Sequence, residues 1–165
     1  MSDRVLSEFR IGQGWDVHRI APGRPMILGG VVIPSDFGLE GHSDADILSH
    51  AITDALLGAA GLGDIGMHFP DTEPRWKGGD SLMFLRHACD LLSARGYRIA
   101  NVDSTVILER PKLKDHRAAI RAKLAEALGL DVNQVSVKFK TFERLGPVGE
   151  GLSAEAQAVV LIARK

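Results

Sequence analysis

The chain has 165 residues, of which 45% are apolar and 25% charged, and its formal net charge is -1. That length supports one compact domain, 1–165, rather than two. A near-neutral chain has no general attraction for nucleic acid or an anionic membrane, and no stretch reaches the roughly 20 apolar residues that cross a bilayer. Neither nucleic acid nor membrane is therefore an expected partner, and an anionic substrate must be met locally by helix N-termini, a few cations or bound metal. Cys89 is the only cysteine, so no intrachain disulfide can form and a reducing compartment fits. The opening MSDRVLSEFR carries acids and no apolar run, unlike a secretory signal. A cytoplasmic protein is expected.

Phe9 to Ile20 alternates around Ile11, Trp15 and Val17 and reads as a strand. MILGGVVIP (26–34) reads as a β-hairpin, because Gly29-Gly30 can take the positive φ of a tight turn. Phe37 to Gly41 reads as a glycine-bounded loop. A helix is expected from Ser43 as its cap, with Asp44 and Asp46 in the first turn. Ile47, Leu48, Ala51, Ile52, Ala55 and Leu56 form its apolar stripe, and it should stop near Gly58 to Gly61. A glycine-punctuated loop follows through Gly79. Helices are expected over Asp80–Arg95 and Asp115–Leu128, strands over Tyr97–Leu108, Val135–Phe142 and Ala156–Ala163. The AVVLIA core of the last strand is apolar enough to be buried on both faces. The pattern predicts an α+β fold (an α/β two-layer sandwich), with a mixed sheet covered by helices on one face. Its other face needs either solvent or a second subunit, and the apolar last strand favours a subunit.

Three clusters carry chemistry. Asp16 and His18 are two apart in a strand, so both side chains point the same way and can converge on one ion; a surface Asp–His pair has the same spelling. Gly12 and Gly14 before them make only a fragment of a nucleotide fingerprint, with neither the third glycine nor an adjoining helix. The second cluster is His42-Ser43-Asp44-Ala45-Asp46 with His50. Asp46, His50 and Asp54 share one helix face, which is compatible with a plain solvated face. One Asp and two His nevertheless make a three-ligand set that leaves a coordination position open on zinc. Asp46, one turn before His50, is the expected partner fixing its tautomer. The third cluster is in loops: Asp64-Ile65-Gly66, Phe69 to Glu73, and later Lys138, Lys140, Thr141 and Glu143. Each of these alone is consistent with a turn.

Together the segments RIGQGWDVHRI, ILGGVVIP, GHSDADILSHAITDALLGAAGLGDIG, FPDTEP, NVDSTVILERPKL and KTFERLG resemble the 2-C-methyl-D-erythritol 2,4-cyclodiphosphate synthases of the non-mevalonate isoprenoid pathway. The resemblance spans nearly the whole chain in the expected order. It implies a lyase that converts 4-diphosphocytidyl-2-C-methyl-D-erythritol 2-phosphate to the cyclic diphosphate and CMP. It implies zinc on Asp16, His18 and His50, and a second divalent ion, magnesium or manganese, on Glu143. His42 and Thr141 would act on the transition state. Ser43, Asp46, Asp64, Gly66, Phe69, Asp71, Glu73 and Lys140 would bind substrate, and Leu108, Pro111, Lys112, Leu113 and Lys114 would form the cytidine pocket. It also implies a homotrimer, with sheets facing inward and active sites between subunits. One departure is visible: the family often reads LGFTGRGEG where this chain has LGPVGEG (145–151), without the aromatic and the arginine. Two other readings remain: a zinc-dependent phosphohydrolase using the same ligands, and a non-catalytic nucleotide-binding protein on the same fold.

Overall fold

The computed structural model of the chain describes residues 8–165, so most of the N-terminal segment read for a signal sequence lies outside the described residues. In chain order the elements are β1 (Phe9–Pro22), β2 (Met26–Leu28), β3 (Val31–Ile33), β4 (Phe37–Leu39), α1 (Ile47–Ala60) and α2 (Ile65–His68). There follow α3 (Ser81–Ala94), β5 (Tyr97–Ile107), α4 (Arg117–Leu128), β6 (Val135–Lys140), α5 (Gly146–Gly149) and β7 (Ser153–Arg164). Five strands form one sheet in the order β4-β1-β7-β5-β6. Every pairing in it is antiparallel except β5 with β6, which are joined through α4 because a parallel pair needs a crossover. The sheet is mixed and its helices cover one face, as the sequence pattern predicts.

The central pair explains how α1 sits so close to the sheet. Gly14 pairs with Ala158, Asp16 with Ala156 and His18 with Ala154, so the helix side of β1 and β7 carries small residues here. Gly12 and Gly14 lie under α1: a Cβ on either would come within 1.9 Å of the Ala55 or Ala51 carbonyl oxygen, respectively. Ile47, Leu48, Ala51, Ile52, Ala55 and Leu56, the stripe read from the sequence, are all fully buried there. The GxG of β1 is thus a packing seam for a helix and not part of a nucleotide loop.

The opposite side of β1 carries Ile11, Trp15 and Val17, 72%, 58% and 52% exposed. Their alternation does mark a strand, but it points away from this chain's core. The expectation that β7 is buried on both faces is corrected for the single chain. Ala154, Ala156, Ala158, Val160 and Ile162 are buried, while Val159 stands 46% exposed on the outer face. Burial alternates because side chains on a strand alternate.

Three local readings change, the first being that the loop expected through Gly79 carries the short helix α2. Phe37–Leu39 is a short edge strand, not a loop, with Leu39 opposite Ile20 and Phe37 opposite Pro22; Gly38 lets it lie against the Pro25 carbonyl, where a Cβ would stand 2.2 Å from the oxygen. Helix α1 begins at Ile47 with Asp46 as its cap, not at Ser43. Ala45 takes φ 60°, a left-handed conformation that a helix cannot include. The hairpin of β2 and β3 turns at Gly29 and Gly30, with φ 57° and 73°, and its two N–H groups donate to the Asp46 carboxylate at 2.9 and 2.7 Å. The Ser49 amide and hydroxyl donate to the same group at 3.1 and 2.8 Å. Desolvation pushes this fully buried carboxyl above its ordinary value, against the pull of those four donors. An amide would turn an NH2 toward donors. Asp46→Asn is therefore expected to destabilise the fold by roughly 3 kcal/mol, seen as a lower midpoint in denaturant titration with unchanged slope.

Candidate metal centre and substrate clefts

Asp16 and His18 leave β1 on the helix side, and His50 reaches them from the first turn of α1. One ligand atom from each of the three lies within 4.8 Å of the others, each side chain being half-buried. His18 Nδ1 stands 2.8 Å from the Val17 carbonyl oxygen. A carbonyl only accepts, so Nδ1 carries the proton and Nε2 the lone pair. That Nε2 is buried without a hydrogen-bond partner. His50 Nδ1 lies 3.0 Å from Asp16 Oδ2. A carboxylate with two imidazoles, one of them presenting an unmet buried lone pair, fits a borderline N/O-seeking ion such as zinc. The expected partner for the His50 ring is corrected. Asp46 is engaged with the hairpin turn and meets His50 only through its backbone carbonyl, at 3.0 Å from the His50 amide. The far ring nitrogen, Nε2, is instead 2.8 Å from Ser81 Oγ on α3.

This centre forms one wall of a cleft of about 470 Å³, which also takes in His42, Ser43, Gly66, Phe69 and Asp71. The cleft thus brings together expected residues from all three clusters, but Asp46, Asp64 and Glu73 do not line it. Asp46 is buried beneath the cleft and cannot reach a ligand. Asp64 caps α2, its Oδ1 accepting from the Met67 amide at 2.9 Å. The Glu73 side chain pairs with Arg75, while its carbonyl lies 3.4 Å from His42 Nε2. Asp54, its carboxyl raised chiefly by desolvation, accepts from the Ile65 amide at 2.7 Å and so ties α2 to α1 beside the cleft.

The second half of the expected site lies elsewhere on the chain. Leu108, Pro111, Lys112, Leu113, Lys114, Lys140, Thr141 and Glu143 line a separate cleft of about 350 Å³, which shares no residue with the first. Thr141 Oγ1 donates to Glu143 Oε1. Glu143 and Arg144 both take left-handed backbone, φ 53° and 65°. Such strain in residues other than glycine concentrates at functional loops.

Against known proteins, the sequence profile described as the YgbB family matches residues 9–163. The chain belongs to the YgbB family. A 2-C-methyl-D-erythritol 2,4-cyclodiphosphate synthase of Solibacter usitatus is 73% identical over 157 residues, covering 95% of this chain and 99% of that one. Among solved structures, the bifunctional IspDF of Campylobacter jejuni superposes with a TM-score of 0.93 at 40% identity, over 96% of this chain and 43% of that longer one. A Plasmodium falciparum IspF in complex with CDP matches with a TM-score of 0.85 at 40% identity, over 96% and 97% of the two chains.

Within this YgbB family frame, several cleft residues escaped the sequence reading. Trp76 and Phe84 line the first cleft, with ring centroids 6.1 Å apart, and Phe69 packs 4.3 Å from Phe84. Phe84 belongs to the buried apolar face of α3, where the sequence alone reads it as core. Arg117 and Phe139 join the second cleft. The shortened LGPVGEG segment forms α5, its Gly149 packed where a Cβ would fall 2.4 Å from the Arg144 carbonyl carbon. Burial pushes the Cys89 thiol up to about 11, so it stays a neutral, unreactive thiol.

Proposed function

We infer that this chain is a 2-C-methyl-D-erythritol 2,4-cyclodiphosphate synthase of isoprenoid biosynthesis, a single catalytic domain over 1–165. The observation that carries this reading is the convergence of Asp16, His18 and His50 on one point at the edge of a cleft, in a chain of this family. The reaction is an intramolecular displacement: an oxygen of the 2-phosphate bonds to the β-phosphorus, the bond from that phosphorus to CMP breaks, and CMP leaves. It needs alignment and charge neutralisation more than a protein nucleophile.

We propose that Asp16, His18 and His50 hold zinc, and that Glu143 helps hold a second divalent ion, magnesium or manganese. Bound there, such ions supply Lewis-acid neutralisation of phosphate charge. The protein's own groups do the rest. His42 and Ser43 meet the diphosphate beside the metal centre, and Thr141 offers its hydroxyl to a phosphate oxygen. Lys112 and Lys140 add positive charge, and Leu108 to Lys114 seat the cytosine. Phe69, Gly66 and Asp71 enclose the methylerythritol part. Because the two half-sites occupy different clefts of one chain, we propose a homotrimer in which the Thr141–Glu143 cleft of one subunit faces the metal cleft of the next. The apolar outer sheet face around Ile11, Trp15, Val17 and Val159 supports burial between subunits. Among the described residues no helix is long and apolar enough to cross a membrane, and we place the enzyme in the cytoplasm.

The deciding experiment is an assay with the cytidine-diphosphate-linked substrate, with and without chelator, read by phosphorus NMR. Cyclisation gives CMP and a cyclic diphosphate, both lost on chelation. Open-chain phosphates would favour a phosphohydrolase, and no turnover with metal present would favour a binding protein. Glu143→Gln is expected to leave zinc content unchanged but to raise the magnesium needed for half-maximal rate about tenfold, equivalent to ~1.4 kcal/mol. Metal analysis and a magnesium titration check both halves.

A further inference from the structure

We propose that Asp44 and Ser81 position His50 for metal binding by holding its ring proton on Nε2, an inference that rests on the metal reading above. Ser81 is fully buried at the start of α3. Its amide donates to Asp44 Oδ2 at 3.1 Å and its hydroxyl donates to Asp44 Oδ1. A carboxylate only accepts, and a serine hydroxyl has one proton. With that proton committed to Asp44, Ser81 Oγ can only accept from His50 Nε2, which lies 2.8 Å away. A neutral imidazole that makes this bond carries hydrogen at Nε2 and a lone pair at Nδ1. Ser43 Oγ, at 3.1 Å from the same nitrogen, is the longer contact, and its own hydroxyl proton has an acceptor in Ser81 Oγ at 3.3 Å.

The arrangement matters because of what the other tautomer would do. Asp16 Oδ2 is 3.0 Å from His50 Nδ1. A proton on Nδ1 would be donated straight to that carboxylate, joining two of the three ligands in a hydrogen bond that an incoming ion must break. The Asp44–Ser81 pair removes this competitor. It leaves two acceptors facing each other, an arrangement that a bound cation relieves. His18 is set the same way through the Val17 carbonyl, so each histidine is oriented by an acceptor on its far nitrogen.

The test uses the full-length protein. In wild type, one zinc should bind per chain by chelator competition. Nitrogen-15 NMR of the metal-free protein, about two pH units above the ordinary imidazole value, should show the Nε2–H form of His50. Ser81→Ala should lower zinc affinity roughly 10- to 100-fold and shift the ring toward Nδ1–H. Asp44→Ala should do the same with Ser81 still present, since the Ser81 hydroxyl then has no carboxylate to donate to and can donate to Nε2; a merely structural role would not predict that shift. If Ser81→Ala fails to fold, Asp44→Ala alone decides. Either variant keeping wild-type zinc affinity and the Nε2–H form overturns the proposal, as does a wild-type ring protonated on Nδ1. A wild type that binds no zinc overturns instead the metal reading beneath it.

Discussion

His50→Ala is expected to take zinc content from about one per chain to near zero and to lower turnover by on the order of 10³-fold. The loss should be this large because the centre has only three protein ligands. Removing one leaves Asp16 and His18, a pair that ordinary surfaces also carry. The fold should survive. His50 is a partly exposed position of a helix whose apolar stripe is untouched, and the outer sheet face proposed for the trimer lies on the other side of β1. His42→Ala makes the sharp comparison. It lies in the same cleft but outside the ligand group, so it should cost turnover while retaining zinc. Metal analysis of the purified variants, alongside sizing by light scattering, checks both. Full zinc occupancy in His50→Ala would remove the ligand assignment, whatever happened to activity.

What was legible in advance follows from the range of each interaction. The hairpin at Gly29-Gly30 and the Asp16/His18 pairing are local: positive φ and a period of two fix them within a few residues. The stripe of α1 is nearly as local. The errors came where a distant partner overrode a local preference. Spacing alone puts Asp46 and His50 on one helix face, but the N–H groups of Gly29 and Gly30 draw the Asp46 carboxylate into the hairpin turn. The contact to His50 falls instead to Ser81, 31 residues away, and no periodicity connects those two. Phe37–Leu39 reads as a loop because three residues with a glycine at their centre carry too little pattern; only pairing with Ile20–Pro22 makes them a strand. In the second cleft, Lys140, Thr141 and Glu143 stand out in the sequence only as residues that a turn would equally explain, while Leu108 to Lys114 enter by resemblance alone; the two groups come together through the parallel pairing of β5 and β6.

Gly14→Ala tests whether the packing seam and the metal centre are one device. The added Cβ would lie 1.9 Å from the Ala51 carbonyl oxygen and 2.8 Å from the Ala55 amide nitrogen. Both are helix backbone, so no side-chain rotation can relieve the overlap. Helix α1 must move off β1 as a unit. The expected loss is about 3 kcal/mol or more, or a midpoint roughly 6–12 °C lower. The functional consequence follows from position. Gly14 is two residues before Asp16 on the same side of β1, and His50 directly precedes Ala51 on α1. Lifting the helix therefore separates His50 Nδ1 from Asp16, and metal sites tolerate only about 0.5 Å of such displacement. Zinc affinity should fall together with stability. Gly58→Ala is the control. It changes the same helix, but its Cβ would meet nothing nearer than the Gln13 carbonyl oxygen at 4.0 Å. Replacing a helical glycine there should stabilise by about 0.5–1 kcal/mol and leave zinc binding alone. Should Gly14→Ala match Gly58→Ala in thermal midpoint and chelator competition, the close approach of helix to strand is not what aligns the ligands.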